Sequence, residues 1–145
     1  MKINQKVKSA IGWIVYLAIL VALVYGIPKV LVRVLDTDYP MASITSDSMW
    51  PALKEGDFVL IKGIDGKGEI AMGDIIVYKN PKGFTIHRVI KINEGTVVTK
   101  GDANNVEDKP VGYEEVVGKV VTIGEKPFRI PFLGKIGLLI NKVNI

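Results

Sequence analysis

The 145-residue sequence predicts a mainly β protein, a coiled antiparallel sheet or small barrel, carried on one N-terminal transmembrane helix. Two observations lead there. Residues 9–28 read SAIGWIVYLAILVALVYGIP, twenty positions without a charge, which is about the length an α-helix needs to cross a hydrocarbon core of roughly 30 Å. Later in the chain, short runs rich in β-branched and aromatic residues alternate with Gly, Pro, Asn and Asp, and no stretch there keeps a helical period. A chain of this length holds one ordinary domain, so one hydrophobic core is expected.

Residues 1–8 form a basic N-terminus with Lys2, Lys6 and Lys8, and residues 9–28 form the anchor. A core helix of a soluble protein is a poor alternative, because a domain this small cannot surround a helix that is apolar on every side. A cleaved leader fits less well too, since the run ends in Tyr-Gly-Ile-Pro-Lys without a small-x-small site. Trp13, Tyr16 and Tyr25 lie toward the ends of the span, where amphipathic rings prefer the headgroups. The three leading lysines, set against Lys29 and Arg33 with Asp36 and Asp38 close behind, favour a cytosolic N-terminus and an extracytosolic domain.

Residues 29–41 are a connector that continues as helix through Val30, Leu31, Val34 and Leu35 and is broken by Asp-Thr-Asp-Tyr-Pro. Residues 42–145 are the β-rich domain. Strands are expected at 58–61, 74–78, 85–92, 96–99 and 116–123, with Asn93-Glu94-Gly95 at hairpin distance between two of them. The apolar residues 128–140 are interrupted by Arg129 and Lys135 and read as core plus a membrane-facing segment. The first 33 residues hold five basic side chains and no acid, which leaves 14 of the 19 basic residues against all 15 acidic ones in the rest. The domain is therefore near neutral, and nucleic acid is not an expected partner. Without cysteine, and with His87 alone, thiol chemistry, disulfides, thiolate zinc and multi-histidine metal sites are excluded, and no metal or cofactor is expected.

The chemistry concentrates in Ser46-Asp47-Ser48-Met49-Trp50-Pro51. Two hydroxyls two residues apart share a side of an extended chain, and the following Pro imposes a bend, so one serine can attack while the other donates. A plain Ser-rich turn is the bland alternative. His87 lies in Thr85-Ile86-His87-Arg88-Val89-Ile90, where alternation puts Ile86, Ile90 and Ile92 on one face and His87 with Val89 on the other. Lys100-Gly101-Asp102-Ala103-Asn104-Asn105 follows, with Asp108 six residues after Asp102. A hydroxyl, one imidazole and two acids are the parts of a serine hydrolase. Asp102 is spaced for an Asx-turn within its own loop, whereas Asp108, just before Pro110, is freer to reach the strand of His87.

In this order the anchor, the S-x-S-M-x-P box, Gly56-Asp57, Gly73-Asp74-Ile75-Ile76-Val77-Tyr78, Ile86-His87-Arg88-Val89 and Lys100-Gly101-Asp102-x-Asn104 with Asp108 resemble the type I signal peptidases of archaea and the endoplasmic reticulum. Bacterial relatives carry a lysine where His87 stands, and Asp47 stands where many members have Gly. The resemblance implies a Ser48 nucleophile, a His87 general base, Asp108 or Asp102 orienting the imidazole, and an oxyanion hole from the Ser48 N–H and Ser46 hydroxyl. It implies signal-peptide-bearing preproteins as substrates, bound as an extended strand and cut after small residues. The implied location is the cell membrane, or the endoplasmic reticulum membrane in a eukaryote, with partner subunits left open. A self-cleaving repressor-type protease, which uses a lysine base and lacks an anchor, and a non-catalytic membrane-tethered β module are the competing readings.

Overall fold

The computed structural model describes residues 4–136. The final stretch of the expected membrane-facing segment, residues 137–145, lies outside the described residues. Helix α1 (Gln5–Val34) is 30 residues long, so it covers the anchor and enters the connector. None of its residues is buried, and it is long and apolar enough to cross a membrane. The side chain of Asn4 accepts the Lys6 N–H and caps the start. Pro28 lies within the helix, where it removes one backbone donor.

The helix ends in a Schellman arrangement: Asp36 is left-handed at φ 49°, and the Thr37 N–H returns to the Val32 carbonyl at 3.3 Å. Just before it, the Leu35 carbonyl accepts the Gly63 N–H at 2.7 Å. A Cβ on Gly63 would fall 1.8 Å from the Asp36 carbonyl oxygen, so only glycine lets the helix end lie this close to the sheet.

The strands are β1 (Met41–Ser43), β2 (Phe58–Lys62), β3 (Ile75–Asn80), β4 (Gly83–Ile92), β5 (Thr96–Lys100), β6 (Val111–Gly112), β7 (Val116–Val120), β8 (Thr122–Ile123), β9 (Lys126–Pro127) and β10 (Arg129–Ile130). All pairings are antiparallel, in the order β1-β2-β7-β3-β4-β5-β6, with β10 also on β2 and β8-β9 forming a separate ribbon. The sheet does not close into a barrel, because its end strands β1 and β6 do not pair with each other. Among the described residues β1 is an edge and β4 outruns β5: its pairing to β5 begins at Arg88, so residues 83–87 pair there only with β3.

Instead of the one core expected, the described residues form two clusters of buried side chains. Along β3, Ile75 and Val77 join Ile44, Met49, Leu53, Val59, Ile61 and Val120, whereas Ile76 and Tyr78 join Ile70, Val89, Val97 and Val111. The period of two sends consecutive apolar residues of a central strand to opposite faces, so an unbroken apolar run makes a core on each. A register shift between Val89 and Lys91 marks a bulge in β4 just past His87.

Candidate active site

The loop between β1 and β2 presents the serines. Met49 (1% exposed) and Leu53 (0%) sink into the first core, and the Leu53 N–H bonds the Met49 carbonyl at 2.9 Å, so the box is a turn pinned by its methionine. Ser46 lies in a bend and Ser48 in a turn, not in the extended chain expected, yet their hydroxyls converge to 3.2 Å. Asp47 accepts the Glu55 N–H at 3.0 Å, and buried Asp57 accepts the Lys54 N–H at 3.0 Å and Arg129 at 2.7 Å, fixing both ends of the following turn. The Ser48 amide N–H has no acceptor among the described residues.

His87, 8% exposed, shares the face of Val89 as alternation requires, and its Nε2 is 3.2 Å from Ser48 Oγ. Its Nδ1 is 2.6 Å from Asp108 Oδ2. An ionised carboxylate only accepts, so Nδ1 carries the proton and the Nε2 lone pair faces the serine hydroxyl.

Asp102 is not brought to His87. Arg88 donates to it bidentately, Nε to Oδ1 and Nη2 to Oδ2, both at 2.7 Å, and Nη1 donates to the Gly73 carbonyl at 2.8 Å. The carboxylate serves this clamp in place of the Asx-turn expected of it, because a guanidinium fork presents two parallel donors that single backbone amides do not match. The hydrogen bond to Asp102 raises the Arg88 pKa further, with burial opposing it. The clamp ties β4 to the loop after β5, and that loop supports the serine: the Ala103 N–H bonds the Ser48 carbonyl at 2.9 Å. A Cβ on Gly101 would lie 2.6 Å from that same oxygen.

Behind the imidazole, the Thr99 hydroxyl donates to Asp108 Oδ2 at 2.7 Å and lies 3.3 Å from the Tyr78 hydroxyl. Burial, first, and then the charge of Asp108 raise the Tyr78 pKa, with the Thr99 hydrogen bond opposing. Neither residue stands out in the sequence. The signal was the face: Tyr78, His87 and Thr99 follow from the register that pairs Ile76 with His87 and Val89 with Thr99.

Ser46, Ser48 and His87 open onto a groove of about 570 Å³ bounded by β1 and by the part of β4 that pairs with β3 but not with β5. Tyr39 and Phe84, with ring centroids 5.0 Å apart, also line it.

Residues 22–121 match the model of the family described as Peptidase S24-like, a span that holds Ser46, Ser48, His87, Asp102 and Asp108. The chain belongs to that family. Within it the relatives point to the endoplasmic-reticulum type of signal peptidase. The signal peptidase complex catalytic subunit SEC11 of Metarhizium acridum is 29% identical over 95% of this chain and 85% of its own length. The Neurospora crassa protein of the same description is 32% identical over 74% of this chain and 67% of its own. The human signal peptidase complex catalytic subunit SEC11C is 30% identical over 86% and 69%. As a member of this family the chain is a peptidase.

Proposed function

We propose that the chain is a membrane-anchored serine endopeptidase that removes signal peptides from secretory preproteins. The observation that carries the mechanism is the line Ser48 Oγ, His87 Nε2, His87 Nδ1, Asp108 Oδ2, with steps of 3.2 and 2.6 Å at its two hydrogen bonds. Ser48 attacks the scissile carbonyl as its proton passes to Nε2, while Asp108 holds the other N–H and the imidazolium that forms. Negative charge developing on the carbonyl oxygen is met by the unengaged Ser48 N–H and by the Ser46 hydroxyl, donors of a kind worth about 2.7–4 kcal/mol each. The imidazolium returns its proton to the leaving amine, which becomes the new N-terminus, and water then releases the signal peptide from Ser48 by the same route.

The groove suits an extended peptide. Its walls carry strand edges that have no neighbouring strand among the described residues, and strand addition supplies one. The anchor serves the same substrate, since a signal peptide is itself membrane-inserted and tethering raises its effective concentration at the site. We place the N-terminus in the cytosol and the domain on the far side of the membrane, from Lys6 and Lys8 at the helix start. Self-cleavage with a lysine base is disfavoured by the buried imidazole that faces Ser48.

The test is to incubate the detergent-solubilised full chain and its Ser48→Ala variant with a preprotein and to sequence the new N-terminus. Cleavage after small residues by the parent alone supports the proposal. No cleavage by the parent, or equal cleavage by both, overturns it.

A further inference from the structure

We infer that Thr99 is a positioning residue for the Asp108–His87 pair, with Tyr78 holding Thr99 in turn; this rests on the Ser48–His87–Asp108 reading above. Thr99 is fully buried at 0% exposure and grips Asp108 at two points. Its carbonyl accepts the Asp108 N–H at 2.8 Å, and its hydroxyl donates to Asp108 Oδ2 at 2.7 Å. That oxygen is the one that receives the imidazole N–H at 2.6 Å, so one acceptor atom is located by two donors arriving from different strands.

Hydrogen counting sets the direction of the chain. The Thr99 hydroxyl has one proton, and an ionised carboxylate has none to offer, so that proton belongs to Asp108. The Tyr78 hydroxyl lies 3.3 Å from Thr99 Oγ1 and so packs against the hydroxyl that grips Asp108. Burial keeps the phenol protonated well into alkaline conditions, so no phenolate competes with Asp108 for the Thr99 proton while the site is at work. The other acids of the surrounding elements are engaged elsewhere: Asp102 by Arg88, Glu107 by Lys91 and Asp74 by Lys119. Among the described residues Asp108 is the one anion hydrogen-bonded to the imidazole, and the Thr99 proton governs how strongly it acts there.

Removing that proton has two consequences. The carboxylate loses the contact that fixes its rotamer, which lowers turnover more than binding. It also becomes a stronger acceptor, which favours imidazolium and moves the acid limb of the pH profile upward.

The experiment measures kcat, KM and the pH dependence of kcat/KM for the full chain in detergent, with Thr99→Val, Thr99→Ser, Tyr78→Phe and Asp108→Asn. Thr99→Val is expected to lower kcat about tenfold with KM within about twofold, and to raise the acid limb by about half a pH unit. Thr99→Ser restores both, and Tyr78→Phe loses less than about threefold because the donor to Asp108 survives. Should Thr99→Val leave the buried phenol without its Thr99 partner and fail to fold, the double variant with Tyr78→Phe removes both hydroxyls and carries the same expectation. A wild-type kcat and acid limb in Thr99→Val, or an equal loss in Thr99→Ser, overturns the inference. If Asp108→Asn is inactive in that case, the triad reading stands; if Asp108→Asn is fully active, both fall.

Discussion

Ser48 is held by three neighbours at two of its atoms: His87 and Ser46 at its hydroxyl, and the Ala103 N–H at its carbonyl. Ser48→Ala removes the attacking atom and is expected to abolish cleavage of a preprotein, whereas Ser46→Ala removes one side-chain donor and should lower kcat by about 10²–10³-fold. An inert Ser46→Ala beside an active Ser48→Ala would displace the nucleophile to another residue. The acids separate in the same assay. Asp108→Asn preserves size but lets the imidazole take the wrong tautomer, a change that costs about 10⁴-fold in kcat in Ser-His-Asp systems, with melting temperature unchanged. Asp102→Asn breaks the bidentate clamp on Arg88, so its expected signature is a lower melting temperature with a smaller loss of turnover. Composition and spacing supplied a hydroxyl, an imidazole and two acids, but which acid reaches the imidazole depends on the path of the chain after β5. His87 and Asp108 are 21 residues apart, and Thr99, which lies between them, is an ordinary strand residue until the register is known.

At the scale of elements, the loop that follows β5 braces the serine loop from the far side of β4. Gly101 is the point of closest approach: a side chain there would press on the Ser48 carbonyl, with the Asn104 amide also 2.6 Å from the added carbon. Gly101→Ala is therefore expected to push the nucleophile off the imidazole, lowering kcat about 10²-fold while leaving overall secondary structure intact. Circular dichroism beside kinetics checks it, and an unaffected kcat would mean that the loop yields instead. The strands themselves were legible. Every run expected from β-branched content is a strand within a residue or two, although residues 116–123 divide into β7 and β8. Closure was not legible, because whether a coiled sheet meets itself depends on how its edges pair. The second core was hidden by the same ambiguity, since a run such as Ile75-Ile76-Val77-Tyr78 reads alike whether one face or both are covered.

For the molecule as a whole, the buried phenol of Tyr78 links stability to alkaline pH. Its pKa is raised on folding, so above about pH 10 the unfolded chain loses the proton first and the folded state comes to hold more protons than the unfolded. Stability is thus fully present below about pH 10 and is lost as pH rises through the folded value. Tyr78→Phe should flatten that slope in melts taken between about pH 9 and 11; an unchanged slope would show that other groups cause it. The junction of helix and sheet has a mechanical consequence. Because α1 runs unbroken to Val34 and its last carbonyls lie against Gly63, the domain is mounted on a mast and does not swing on a string. Residues added to the helix just before Val34 lift the active site by about 1.5 Å each and also turn it by about 100°. Cleavage of membrane-inserted substrates should then rise and fall with insert length, returning near four and seven added residues, where a limp tether would give only a gradual decline.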